Sequence, residues 1–153
     1  MGTSLVFNYG HLIFRVQSVK LRREDVGRLH GFLARQLHQN GAHYIVVGGT
    51  EDHVHILANF PTKKSLADLV RELKVYSTQW LQGLCAIYSH FYWQKGYGYF
   101  SVSQSNLETV VRYVRNQQQH HLKQTVEEEM RLFAEKHGAC IPGTTMASTT
   151  GRH

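Results

Sequence analysis

Apolar and polar residues follow two different periods along this chain, and the switches between them divide it into elements. Residues 11–19 are rich in β-formers with imperfect alternation and predict a first strand. From Arg22-Arg23-Glu24-Asp25 the period lengthens: Val26, Leu29, Leu33 and Leu37 recur every three or four residues until Asn40-Gly41 ends a helix. Two strands follow, at 42–48 and 53–60, with Gly48-Gly49-Thr50 supplying the turn between them and Pro61 closing the second. Ser65 is placed to cap another helix, whose apolar face runs through Leu66, Leu69, Val70, Leu73, Tyr76, Trp80 and Leu81. The aromatic run Phe91-Tyr92-Trp93-Gln94-Lys95-Gly96-Tyr97-Gly98-Tyr99-Phe100 predicts a fourth strand, with its glycines allowing a bend. A third helix is expected over 106–121, capped by Ser105, with Leu107, Val110, Val111 and Val114 facing inward. A last amphipathic helix is expected over 125–137.

The order β-α-β-β-α-β is that of an α+β, ferredoxin-like (split βαβ) fold. Such a fold is an antiparallel sheet with helices on one face, here with an appended C-terminal helix, and its other face is left for a site. The length of 153 residues fits one domain, expected over 1–140, followed by a small polar stretch at 141–153 expected to be a flexible tail. Cys85 and Cys140 lie far apart without Cys-x-x-Cys spacing, which excludes a zinc knuckle and a disulfide scaffold and fits a reducing cytoplasm. No apolar run approaches the ~18 residues of a membrane span, and the N-terminus does not read as a signal peptide. Seventeen Lys plus Arg against eleven Asp plus Glu give a net charge of +6, so a polyanion, nucleic acid foremost, is the expected partner.

Candidate chemistry concentrates in two places. In Glu51-Asp52-His53-Val54-His55-Ile56-Leu57 the two-residue period of a strand puts both imidazoles on one face, which is half of a metal site. On the third predicted helix, Tyr113, Gln117 and either His120 or His121 recur every three to four residues, aligning a phenol, a carboxamide and an imidazole. Lys63, Lys64, Arg71 and Lys74 form a basic stripe that reads equally as a solvated face or a phosphate-contacting one. The aromatic run around Gln94 and Lys95 reads as core or as a platform for unpaired bases.

Asp52-His53-Val54-His55-Ile56-Leu57, Tyr92-Trp93-Gln94, Gly96-Tyr97-Gly98-Tyr99-Phe100-Ser101-Val102-Ser103 and Tyr113-Val114-Arg115-Asn116-Gln117-Gln118-Gln119-His120-His121 stand in this order. Together they resemble the small single-tyrosine transposases of the HUH endonuclease superfamily, found in bacterial and archaeal insertion sequences. The likeness spans residues 11–138, with Glu51 standing where a proline is usual. The resemblance implies His53, His55 and Gln117 as metal ligands for Mg²⁺, with Mn²⁺ as the alternative, and Tyr113 as the nucleophile. It implies cleavage and rejoining of single-stranded DNA at hairpin-bearing element ends through a 5′-phosphotyrosine. It also implies a homodimer with active sites shared between subunits, working in a prokaryotic cytoplasm in association with the nucleoid. DNA contacts are expected from Lys63, Lys64, Arg71, Lys74, Trp93, Lys95, Arg112, Arg115, His120 and His121. The competing readings are a domesticated relative, a replication or conjugation nickase, and a non-catalytic ferredoxin-like nucleic-acid binder.

Overall fold

A computed structural model of the chain describes Gly2, residues 4–117, and Glu128, Arg131, Leu132, Ala134 and Glu135. The elements run β1 (Tyr9–Arg15), α1 (Arg23–Gln39), β2 (His43–Gly49), β3 (His53–Asn59), α2 (Leu66–Leu84), β4 (Gly98–Ser101) and α3 (Leu107–Arg115). The strands form one antiparallel sheet in the order β2-β3-β1-β4, the α+β, ferredoxin-like arrangement expected from the element order. Each helical crossover skips one strand, so β1 and β3 become the central pair.

Strand alternation divides the chemistry of the sheet. Leu12 and Phe14 of β1 and Val54, Ile56 and Ala58 of β3 point to one face, where they pack with Leu29, Leu33 and Leu37 of α1 and Leu69, Leu73 and Leu81 of α2. The opposite face carries His11, Ile13 and Arg15, which stand across from Leu57, His55 and His53 in the β1–β3 register. There α3 covers the sheet, setting Val114 against Val46 and Leu57. Both central strands therefore bury two faces, and a three-histidine cluster lies between the sheet and a helix.

The helix layer is fixed by a few polar contacts as well as by leucines. Ser65 caps α2 as expected, its Oγ accepting from the Asp68 N–H at 3.0 Å. Asp25 in the first turn of α1 is buried; the Arg22 guanidinium donates to it at 2.7 Å and the Tyr88 hydroxyl at 2.6 Å. That guanidinium holds the Asp25 carboxyl below the ordinary carboxylate range. Tyr76, expected inward, is exposed, and Ser77 turns inward instead because its Oγ accepts from the buried Trp93 Nε1–H at 2.9 Å.

Three boundaries differ from the sequence expectation. The first strand stops at Arg15: the Val16 N–H bonds the Asp52 carbonyl and the Leu21 N–H the Glu51 carbonyl, which carries the chain over the β2–β3 turn into α1. Ser105 does not cap the third helix, because Gln104–Asn106 form a 3-10 turn and Asn106 occupies the cap position without a side-chain bond. The helix expected to run to 121 ends at Arg115, with Asn116 as its C-cap. Of the helix expected over 125–137, Glu128, Arg131, Leu132, Ala134 and Glu135 are helical and Ala134 is buried. His120, His121 and the tail at 141–153 lie outside the described residues. Among the described residues, no helix is long and apolar enough to cross a membrane.

One buried group in this layer gives the fold a pH dependence. His30 of α1 has its Nε2 buried with no hydrogen-bond partner, and burial lowers its pKa from 6.5 to about 4. Below 6.5 the unfolded chain takes up a proton that the folded chain refuses, so this contribution is complete above 6.5 and is lost as pH falls towards about 4. In urea titrations at pH 7 and pH 4 the wild type should lose up to about 3 kcal/mol more than the His30→Gln protein.

Candidate active site

The site is built on β3, whose alternation turns His53 and His55 to the same face, both fully buried. Nδ1 of His53 lies 2.8 Å from Asp52 Oδ1 and 2.9 Å from Thr50 Oγ1, while the Thr50 hydroxyl donates to the same carboxylate oxygen at 3.0 Å. An ionised carboxylate only accepts, so the neutral imidazole carries its proton on Nδ1 and turns the Nε2 lone pair outward. Nε2 faces Oε1 of Gln117 at 3.0 Å. The Gln117 amide is oriented by its Nε2, which donates to the Tyr113 carbonyl at 3.2 Å, leaving Oε1 to face the histidine.

In that tautomer two lone pairs face each other, an arrangement that a positive charge between them relieves, either a proton on Nε2 or a metal cation. That pairing fits a cation, as does the carboxylate behind His53, since metal-bound histidines usually donate their second N–H to such a partner. His53, His55 and Gln117 would supply two imidazole nitrogens and an amide oxygen. Among the described residues, no group of three or more His, Cys, Asp or Glu side chains is disposed to hold a metal.

A third histidine, absent from the sequence expectation, completes the cluster. His11 on β1 is buried, and its Nε2 lies 2.7 Å from His55 Nδ1. For His55 to offer Nε2 to a cation its Nδ1 must carry the proton and donate it to His11, so His11 fixes the tautomer of His55 as Asp52 fixes that of His53. Truncation at such outer positions typically costs 10–100-fold in metal affinity. We therefore expect His11→Ala to weaken Mn²⁺ binding by roughly ten-fold or more in calorimetry, and His11→Gln, which keeps an acceptor, to recover part of it. Because His11 stands opposite Leu57 and diagonal to His55, only the β1–β3 register reveals the contact.

The helix α3 brings the remaining groups. The Tyr113 ring lies 5.9 Å from that of His55 and 6.2 Å from that of His11, edge-on to both. Gln117 follows just past the helix C-cap. The close approach depends on Gly48 of β2, since a Cβ there would sit 2.5 Å from the Val114 carbonyl oxygen and 2.8 Å from its Cγ1. Thus one chain brings Tyr113, His53, His55 and Gln117 together.

The expected DNA contacts are dispersed. Lys63, Lys64, Arg71 and Lys74 belong to α2 or the turn before it, in the layer on the other side of the sheet from the histidines. Lys64 is engaged by Glu72 and Asn40, and the exposed Arg71 lies 3.8 Å from Asp68. Lys74 donates to the carbonyls of Gln94 at 2.9 Å and Gly96 at 2.7 Å, and burial lowers its pKa. Trp93 is packed in the core against Phe14 and Phe91, so its ring offers no free face to a base. Lys95, Arg112 and Arg115 are exposed, the two arginines on the helix that carries Tyr113.

Comparison with known proteins agrees with this fold. The family model described as "Transposase IS200 like" matches residues 6–117. The fold is similar to that of a Deinococcus radiodurans R1 protein assigned as a transposase, at 22% identity and a TM-score of 0.58, covering 76% of this chain and 96% of that one. It is also similar to a REP-associated tyrosine transposase bound to a REP hairpin, at 12% identity and a TM-score of 0.58, covering 79% of this chain and 72% of that one. No curated protein sequence matches the chain. With the family match running from the segment before β1 through Gln117, the chain belongs to the IS200-like transposase family.

Proposed function

We propose that this transposase cleaves and rejoins single-stranded DNA at the ends of its element, with Tyr113 as nucleophile. The observation that carries the reading is the convergence of Tyr113 and Gln117, from α3, on the buried His53 and His55 of β3. The Tyr113 oxygen attacks the scissile phosphorus; the P–O3′ bond breaks as the P–Oη bond forms, and the phenolic proton ends on the departing 3′-hydroxyl. The 5′-phosphotyrosine retains roughly the energy of the diester it replaced, so attack by another 3′-hydroxyl rejoins the strand without a nucleotide cofactor.

His53, His55 and Gln117 would hold the divalent ion, Mg²⁺ or Mn²⁺. When bound, that ion supplies Lewis-acid stabilisation of charge on the phosphate and on the departing oxygen. Asp52 and His11 keep the two imidazoles in the tautomers that expose Nε2. Docking of α3 fixes the attack angle, and Arg112 and Arg115 lie on that helix to meet the flanking phosphates. The hairpin held by the REP-associated neighbour supports hairpin-bearing single strands as the substrate class. A chain acting on such strands would work at the prokaryotic nucleoid.

The test is incubation with labelled single-stranded hairpin oligonucleotides and Mg²⁺, followed by denaturing electrophoresis. A labelled protein band that Tyr113→Phe removes is the expected result, and its absence from the wild type under all hairpins of the element ends would overturn the reading.

A homodimer exchanging α3 belongs to the same proposal. Val114 is the one fully buried residue of α3, and Leu107, Val110, Val111 and Tyr113 are only partly buried, so this helix is held less firmly than α1 and α2 and is the element a second chain could take up. Mixing Tyr113→Phe protein with His53→Ala protein should then restore part of the cleavage. Verified heterodimers that show no rescue would assign each site to a single chain.

A further inference from the structure

Between β1 and the segment leading into β4, the pairing is interrupted. Trp93 bridges Val16 and Gly98 pairs with Ile13, so three steps along β1 face five along the other chain. The two surplus residues loop outward through Gly96, whose φ of +87° is in the left-handed region that favours glycine. Lys74 holds this loop open from below by its bonds to the Gln94 and Gly96 carbonyls. What remains is a small cavity of about 80 Å³, open to solvent and lined by Ile13, Arg15, Gln94, Lys95, Gly96 and Tyr97 among others. It lies beside the active site, because Ile13 and Arg15 stand directly across from His55 and His53.

The cavity contains an unmet acceptor. Oε1 of Gln94 is buried with no hydrogen-bond partner, while the Gln94 backbone is secured by its N–H bond to the Arg15 carbonyl at 2.8 Å. Leaving a buried carbonyl unpaired is costly, and a ligand N–H placed opposite it removes that cost. The exposed Tyr97 offers a ring for stacking, and Arg15 and Lys95 bring positive charge to the wall.

We propose that this cavity receives the amino-bearing edge of one unpaired nucleobase, whose exocyclic amino group donates to Oε1 of Gln94 while the rest of the ring lies over the cavity mouth, in the strand whose phosphate lies at His53 and His55. The site rests on the single-stranded DNA reading and adds to it a base preference read by the protein. Glutamine pairs with the amino edge of adenine, so adenine is the base expected to fit best.

The experiment compares two fluorescein-labelled dodecamers by anisotropy on the full chain. One is of deoxyadenosine; the other is of purine deoxyriboside, which differs only in lacking the 6-amino group. The wild type should bind the adenine strand about ten-fold more tightly, the size of one good base contact. Gln94→Met should bring the two strands level by weakening the adenine strand alone. Lys95→Ala should weaken both equally, since it removes charge and not the acceptor.

Equal binding of the two strands by the wild type overturns the base site while leaving the single-stranded DNA reading intact. A discrimination that survives Gln94→Met also overturns it. Failure to bind either dodecamer or any single-stranded hairpin overturns both. The wild-type comparison needs no substitution and stands even where Gln94→Met does not fold.

Discussion

Phenylalanine in place of Tyr113 should abolish the covalent protein–DNA adduct, lowering its rate of formation by at least about a thousand-fold, while hairpin binding and thermal stability stay near wild type. The substitution removes one oxygen and nothing else. Tyr113 is only half-buried, and the ring that sits 5.9 Å from His55 and 6.2 Å from His11 is retained, so the packing of α3 is kept. The neighbouring histidines offer ring nitrogens and no hydroxyl, and they are engaged with Asp52, Thr50, Gln117 and each other. Denaturing electrophoresis of a strand labelled on the 3′ side of the cleavage site measures the adduct, and anisotropy measures the binding. An undiminished adduct in Tyr113→Phe would move the nucleophile to another residue and dissolve the mechanism.

The second large effect is expected from a residue with no side chain. A methyl group at Gly48 would fall 2.5 Å from the Val114 carbonyl oxygen and 3.2 Å from the carbonyl carbon, both backbone atoms that no rotamer change can clear. Gly48→Ala must therefore lift α3 from β2, and with it Tyr113 and Gln117. A misplacement of about 1 Å at a reacting group costs on the order of a hundred-fold in rate, and that is the loss expected in single-turnover adduct formation. Thermal stability should fall little, because the leucine-rich layer of α1 and α2 lies on the opposite face and does not depend on α3. Full activity in Gly48→Ala would show that Tyr113 reacts from some other placement of its helix.

The features legible in the sequence were those set by local periodicity. The two-residue period gave His53 and His55 a common face, and the three-to-four-residue period of Leu29, Leu33 and Leu37 gave α1 its buried side. Their order along the chain was enough for the β-α-β-β-α-β plan and the sheet that follows from it. What could not be read was non-local. His11 joins the site through a cross-strand diagonal fixed by register, and Gly48 matters because a helix sixty residues later settles on it. The basic stripe divides for a similar reason: Lys64 and Lys74 are equivalent in composition, yet one meets Glu72 and the other two loop carbonyls. Trp93 read as a stacking platform because nothing nearby in the chain announces that Ser77, on another element, draws its indole inward.

The sheet is claimed on its two sides by different sets of side chains, and only one set serves chemistry. A copy of the gene whose Tyr113 codon is altered to phenylalanine would still produce a well-formed protein, since the apolar layer under α1 and α2 does not involve that residue. On the proposed function, such copies would occupy element ends without cutting them, and so act as inhibitors of their intact siblings in the same cell.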